Sequence, residues 1–319
     1  MVVMGTPTEP FWPRRSPHFL KCRRAVRAVP AVREARAAHS CAAGPVVIGV
    51  SGGADSLALA AAAAAEGVDA RAVVVDHQLQ EGSAAVAQRA ADQVRSFGLA
   101  AEVVAVEVPA GNVEAAAREA RYAALFAAAD RYQGADVWVA HTADDQAETF
   151  LLGALRGNPA GMAPRAGRLV RPLLGVRRAD TAGACEELAI EPWHDPMNSD
   201  PAFRRVAVRT QIIPALSELL GGDAVPALAA AADRIAADEA FIAAQAQLAP
   251  TTDCAELLRD EAVVRSRRLA SWLHDKNVPV QGDQLAAIDA LVTNWHGQGP
   301  VDVAGGRVVV REAGQLRLR

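Results

Sequence analysis

The chain has 319 residues, a formal net charge of −4 and a hydrophobic fraction of 51%, enough for one large and one small domain. Only 4% of it is aromatic and much of the apolar fraction is alanine, so packing rests on Leu, Val, Ile and Ala, with helix favoured over strand. A disulfide scaffold, a metal-ligating cysteine set and a membrane span are not indicated: Cys22, Cys41, Cys185 and Cys254 form no C-x-x-C pair, and Glu66 and Gly67 interrupt the alanine-rich run. The cysteines read as reduced thiols of a cytoplasmic protein with no membrane contact.

Residues 1–44 form an N-terminal arm, expected to be loosely attached where Pro7, Pro10, Pro13 and Pro17 lie among Arg14 and Arg15, followed by a first helix. From Pro45 onward short β-branched runs alternate with alanine-rich helical stretches. Strands are predicted at 46–50, 72–76, 102–106 and 136–141, and helices at 56–65, 83–97 and 113–132. A strand recurring roughly every 30 residues predicts an α/β fold, a parallel sheet with helices on both faces. Its boundaries are 45–220. The continuous apolar runs VVIGV and AVVVD fit strands covered on both sides, and ligands of such sheets bind beyond the carboxyl ends of the strands. Ser51, Asp76 with His77, and His141 all stand at such ends. The stretch 156–178, with Gly, Pro and Arg, reads as a mobile loop over that site. Helices are expected at 181–188, 203–220 and 222–248, with 221–250 as a helical linker. A small C-terminal domain at 251–319 follows, with helices at 265–275 and 283–294 and strands at 301–303, 307–310 and 316–319.

Arginine supplies nearly all the positive charge and gathers at 14–36, 165–178, 204–209, 265–268 and 307–319. Such clusters make either phosphate-reading faces on an acidic protein or solvated helix faces.

Ser51-Gly52-Gly53-Ala54-Asp55-Ser56 follows the first strand and opens a helix. Glycines allow the backbone to approach an anion, the helix N-terminus adds partial positive charge, and Ser51 and Ser56 add hydroxyl donors. Asp55 would repel phosphate unless a cation lay between them, and so reads as a Mg²⁺ ligand; the plainer alternative is a βα turn with Asp as helix cap. No G-x-x-x-x-G-K-[ST] or G-x-G-x-x-G occurs. On the helix after His141, Asp144 and Glu148 are four apart, as are Asp145 and Thr149, so each pair shares a face; the acidic cluster can hold a cationic amine, a metal, or both, the plainer alternative being a charged solvated helix face. Arg118 and Arg121 are i, i+3 neighbours beside Asn112 and Glu114, and can clamp phosphate or pair with a carboxylate such as Glu114.

The loop after a buried strand resembles the PP-loop of the N-type ATP pyrophosphatases. Val75-Asp76-His77-Gln78-Leu79, Asn112-Val113-Glu114 with Arg118 and Arg121-Tyr122, and His141-Thr142-Ala143-Asp144-Asp145-Gln146-Ala147-Glu148-Thr149 follow in order. After them come Arg156-Gly157, Arg171-Pro172-Leu173-Leu174, Trp193-His194-Asp195-Pro196, and Phe203-Arg204-Arg205 with Arg209 and Pro214. From about Val46 to Leu216 this series closely resembles the tRNA(Ile)-lysidine synthetase family, with Gln80 standing where that family usually has Arg.

The resemblance implies an ATP-dependent carbon–nitrogen ligase. Its partners are an isoleucine tRNA with a CAU anticodon and free L-lysine, its cofactors ATP and Mg²⁺. A homodimer is compatible with it, and the C-terminal domain would help bind tRNA. Ser51, Gly52, Gly53, Ala54, Ser56, Asp76 and His77 are then expected at ATP, with Asp55 carrying Mg²⁺. Arg118, His141 and Asp144 join Asp55 as catalytic candidates. Asn112, Glu114, Arg121, Asp145, Glu148, Arg205 and Arg209 are expected at the substrates, Asp145 and Glu148 for the lysine amine and Arg205 and Arg209 for RNA. The rivals are a tRNA thiolase of the same superfamily, which would need reactive cysteines, an ammonia-using synthetase, and a non-catalytic tRNA-binding relative.

Overall fold

A computed structural model describes residues 12–13, 15–37, 45–80, 82–108, 113–157, 159–195, 203–245, 249–280 and 282–319. The expectations for the first residues of the arm, for Cys41 and for Asn112 and the Glu114 side chain lie outside what is described. The chain divides into two compact units, Met1–Glu148 with Ala163–Ala229, and Thr149–Met162 with Ala230–Arg319.

The first unit opens with α1 (Pro17–Ala28) and α2 (Pro30–Ala37). Proline at the first position of α1 loses no hydrogen bond. Val29 is extended (ψ 126°) because Pro30 disfavours helical geometry in the residue before it, and the two helices part there. Then come β1 (Val46–Val50), α3 (Ala54–Ala65), β2 (Ala70–Asp76), α4 (Ser83–Ser96), β3 (Ala100–Ala105), α5 (Val113–Asp130), β4 (Val137–Trp138) and α6 (Ala143–Ala154). The alternation expected from the sequence is present, with β4 shorter than predicted.

The stretch 156–178 differs from the mobile loop expected of it. It holds β5 (Arg165–Ala166) and β6 (Leu169–Val170), an antiparallel pair that joins the main sheet through β6 alongside β4. Gly167, at φ 58°, makes the turn between them. Two-residue strands leave no periodicity in the sequence, which is why the pattern read as irregular.

Sheet order is β3-β2-β1-β4-β6-β5, with every pairing parallel except β5 with β6. Alternation along β1 sends side chains to opposite faces. Val46, Ile48 and Val50 join one core cluster with residues of α1, α3 and α4, while Val47 joins another with Leu125, Ala128 and Ala129 of α5. Gly49 faces α5 as well; a Cβ there would lie 2.9 Å from Leu125 Cδ1, so glycine lets the helix approach. Helices therefore cover both faces, as expected. The chain leaves β1 toward β2 and returns on its other side as β4, which makes the β1–β4 boundary a switch point where a crevice opens.

After β6 come α7 (Arg178–Glu187), α8 (Arg204–Ala207), α9 (Ile213–Leu220) and α10 (Val225–Gln245). The single helix expected at 203–220 is interrupted by a π-helical segment at Val208–Ile212, where Ile213 N–H reaches Val208 O. Pro214 follows at once. A proline ring clashes with the carbonyl four residues back, and the wider turn relieves that clash.

The second unit contains α11 (Cys254–Leu257), α12 (Ala262–Asp275), α13 (Gly282–Thr293), and an antiparallel sheet of β7 (Val301–Val303), β8 (Arg307–Glu312) and β9 (Gln315–Leu318). Leu269, Trp272 and Leu273 of α12 and Ile288 and Leu291 of α13 pack with Val309 and Leu316 of the sheet. Its arginines are largely spent internally. Arg265 pairs with Asp289, Arg268 with Asp260 and Glu256, Arg267 with Glu239, and Arg311 donates to the Leu291 and Val292 carbonyls. The 265–268 cluster is thus neither a solvated face nor an open phosphate-reading one. Among the described residues no single helix is long and apolar enough to cross a membrane.

Candidate active site

The loop between β1 and α3 is shaped by Gly52, whose φ of 82° is strained for any side-chain-bearing residue. A Cβ there would also come within 3.2 Å of Ala90 Cβ. The Gly52 carbonyl accepts from Trp193 N–H at 2.9 Å, which ties the distant Trp-His-Asp segment to the loop. Ser56 Oγ closes the turn, donating to Gly53 O at 2.9 Å and accepting from Ser51 N–H at 3.1 Å. Gly53 is the N-cap, and among the described residues no side chain caps the first amides of α3. Uncapped amides, a helix dipole and the exposed Ser51 hydroxyl are a combination that can receive an anion. Asp55 is inside the helix and is not its cap. Thr181 Oγ1 donates to its Oδ1, and Arg178 Nε stands 3.8 Å from its Oδ2. Burial, with Asp145 and Asp144 adding repulsion, pushes the Asp55 carboxyl up to about 6 despite Thr181 and Arg178.

Across the switch point, α6 starts with a reciprocal cap. Thr142 N–H and Oγ1 donate to Asp145 Oδ2 at 2.8 and 2.7 Å, the S/T-x-x-acid pattern of a capping box. Asp145 Oδ1 accepts from Arg178 Nη2 at 3.0 Å. Asp144 accepts from Arg177 Nε and Nη2 at 3.0 and 3.1 Å and from Arg178 N–H at 2.7 Å, so it anchors the start of α7. Glu148, with a wholly buried side chain, accepts from Arg178 Nη1 at 3.0 Å and Arg209 Nε at 2.8 Å, with Arg205 Nε 3.9 Å away. The acidic face read from the sequence therefore exists, and arginines hold it. These ion pairs and hydrogen bonds keep Asp144 and Asp145 below the usual carboxylate range against the opposing effect of burial.

The third wall is cationic. His77 follows β2, where Asp76 Oδ1 accepts from Gln78 N–H at 2.9 Å and bends the chain. Among the described residues, His77 Nδ1 and Arg121 Nε are buried with no hydrogen-bond partner. Arg118 and Arg121 lie over the Tyr122 ring at 5.0 and 5.4 Å, side by side on α5 as their spacing requires. His141 accepts at Nδ1 from Arg171 Nε at 3.2 Å. Burial, reinforced by Arg171, Arg121 and Arg118 and opposed by Asp145, lowers its imidazolium pKa to about 3. Burial and Arg121 lower that of His77 too. One end of the crevice is thus acidic and charge-paired; the other is cationic, with His77 Nδ1 and Arg121 Nε unpartnered among the described residues.

Residues 30–216 match the family described as the PP-loop domain. The tRNA(Ile)-lysidine synthase of Corynebacterium glutamicum is 47% identical over 96% of this chain and 96% of its own. That of Corynebacterium diphtheriae is 49% identical over 97% and 99%, and that of Rhodococcus opacus 48% over 90% and 93%. The chain belongs to the tRNA(Ile)-lysidine synthase family. It is accordingly an ATP-dependent ligase with a PP-loop domain. A solved structure, the U34-tRNA thiolase NcsA of Methanococcus maripaludis with its [4Fe-4S] cluster, has a TM-score of 0.55, covers 69% of this chain and 80% of its own, and is 14% identical. It shows the shared fold alone.

Within this tRNA(Ile)-lysidine synthase fold the thiolase alternative is not favoured. Cys22, Cys185 and Cys254 are buried, and burial pushes the Cys22 and Cys185 thiols up to about 12, away from the thiolate that sulfur transfer needs. Sequence reasoning missed Arg177, Arg178, Thr181 and Arg171 as site residues. A signal existed for the first pair. Two arginines at a helix N-terminus oppose the macrodipole and so imply carboxylates facing them.

Proposed function

We propose that this chain ligates free L-lysine to the wobble cytidine of a CAU-anticodon isoleucine tRNA, in the cytoplasm, through an adenylated base. The observation that carries the proposal is the uncapped N-terminus of α3 with the half-buried Asp55 carboxylate in its first turn, within a chain of this family. In the first step the cytidine O2 attacks the α-phosphorus of ATP and pyrophosphate leaves. In the second the lysine Nζ attacks C2, the C2–O2 bond breaks, AMP departs with the oxygen, and the amine gives up its protons.

Ser51, Gly52, Gly53, Ala54 and Ser56 receive the pyrophosphate portion, and Arg118 and Arg121 supply fixed charge to the phosphates. Asp76 and His77 border the nucleotide. Asp145 and Glu148 draw the lysine ammonium, which competes there with Arg178. Arg205 and Arg209 face the RNA, and the region 251–319 adds further tRNA contacts. Asp55 suits Mg²⁺ on the chemistry of its surroundings. Among the described residues no cluster of three His, Cys, Asp or Glu could hold a metal alone, and Mg²⁺ is commonly held by one carboxylate together with substrate phosphates and water. When bound, the ion would neutralise charge on the departing pyrophosphate. The proposal is tested by pyrophosphate release in the presence of ATP, lysine and the unmodified tRNA, with mass analysis of the wobble nucleoside. Release that depends on the tRNA, with a cytidine heavier by lysine less water, supports it; unmodified cytidine throughout refutes it.

A further inference from the structure

We propose that Arg171 is a positioning residue that holds His141 as its Nε2–H tautomer, so that His141 serves the reacting centre as a hydrogen-bond donor and not as a proton acceptor. This rests on the reading above that His141 lines the adenylation site.

Arg171 is itself buried and tethered. Its N–H donates to Pro164 O at 2.8 Å and its Nη1 to Ala163 O at 2.7 Å, both across the β5–β6 hairpin. The hairpin thereby aims Nε at His141 Nδ1, 3.2 Å away. A guanidinium has donors only and stays protonated, so Nδ1 must present its lone pair. A neutral imidazole with that lone pair carries its proton on Nε2. A doubly protonated ring would set N–H against N–H. Of the charged groups facing His141, Arg171 beyond β6 and Arg118 and Arg121 on α5 disfavour a second proton, and Asp145 on α6 favours one. Asp145 directs its oxygens to Thr142 and Arg178 and makes no hydrogen bond to His141 among the described residues, so the Arg171 contact alone fixes which ring nitrogen carries the proton.

The chemistry follows. With Nδ1 occupied and Nε2 protonated, His141 has no free lone pair and cannot deprotonate the lysine ammonium. It can donate to an oxygen that gains negative charge, the phosphoryl oxygen of the first step or the departing oxygen of the second. The proton acceptor for the amine then belongs among the carboxylates of α6.

The first test reads the tautomer directly in the full chain, labelled with ¹⁵N-histidine, by two-bond ¹H–¹⁵N correlation spectra, with His141 assigned by its loss in His141→Gln. The expected result is an unprotonated Nδ1 and a protonated Nε2 from pH 8 to pH 5. In Arg171→Met the signals should become a tautomer mixture that titrates at higher pH, and Arg171→Lys should restore the wild-type pattern at least in part. An Nδ1–H tautomer in the wild type, or titration near pH 6.5, overturns the proposal even if the Met variant is too unstable to study. The second test is tRNA-dependent pyrophosphate release. His141→Gln keeps a donor and should exceed His141→Ala by about tenfold in kcat; equal losses in the two, with a wild-type acidic limb between pH 6 and 7, overturn the donor role. The expected tautomer in a protein that modifies no tRNA would count against the proposed function and leave the Arg171–His141 arrangement standing.

Discussion

Replacing Glu148 by Ala should destabilise the first unit by about 3 kcal/mol. The wild-type carboxylate is fully buried, receives Arg178 at 3.0 Å and Arg209 at 2.8 Å, and has Arg205 at 3.9 Å. Without it three guanidiniums converge on a cavity, although Arg178 keeps Asp145 at 3.0 Å. Breaking a buried pair by deleting one partner costs about 3–5 kcal/mol. The lower end applies because the arginines remain 25–33% exposed and partly hydrated. With a urea m-value of about 3 kcal/mol/M, the midpoint falls by about 1 M. Far-UV circular dichroism in a urea series reads this, taking the first transition if the two units unfold separately. Glu148→Gln keeps the shape and an acceptor and should fall between Ala and wild type. A shift below about 0.3 M for the Ala variant would refute the reasoning, since it would place the pairs with ordinary surface ion pairs of about 0–1 kcal/mol.

Asp55→Asn keeps the Thr181 contact but removes the charge facing the loop; pyrophosphate release should fall at least about a hundredfold while the urea midpoint holds or rises. Gly52→Ala forces a left-handed conformation at a cost of about 1–2 kcal/mol and crowds Ala90, so ATP affinity measured by calorimetry should drop, and unchanged affinity would remove the loop from the nucleotide site. His141 has a folded-state pKa below its unfolded value, so only the unfolded chain takes up its proton between about pH 6.5 and about 3, and stability falls as pH drops through that window. The wild type should therefore lose more stability than His141→Gln between pH 7 and pH 5; identical losses would mean that His141 titrates normally.

The strand-to-loop chemistry at Ser51–Ser56 was legible because every part of it is local: a buried strand, a glycine at positive φ and a helix start lie within a dozen residues. The same holds for the helical spacing of Asp144 and Glu148 and of Arg118 and Arg121. The hairpin of β5 and β6 was not legible, since strands of two residues carry no alternation and are held by pairing with β4. Nor was the break at Val208–Ile212, where Pro214 marked a disturbance but not its form. The acidic cluster was read as open to a ligand because nothing nearby in sequence neutralises it. Its partners Arg177 and Arg178 are more than 25 residues away and arrive only when α7 packs beside α3.

The sequence by itself determined the alternating sheet, the glycine-shaped turn into α3 and the family, because these depend on short-range sterics, periodicity and an ordered series of motifs. Tertiary structure alone decided which charges meet. Folding brings Arg178 to Asp55, Asp145 and Glu148, and Arg171 to His141. The physical reason is that electrostatics act through space and are strengthened by burial, while the chain's order records only which residues are neighbours along the backbone.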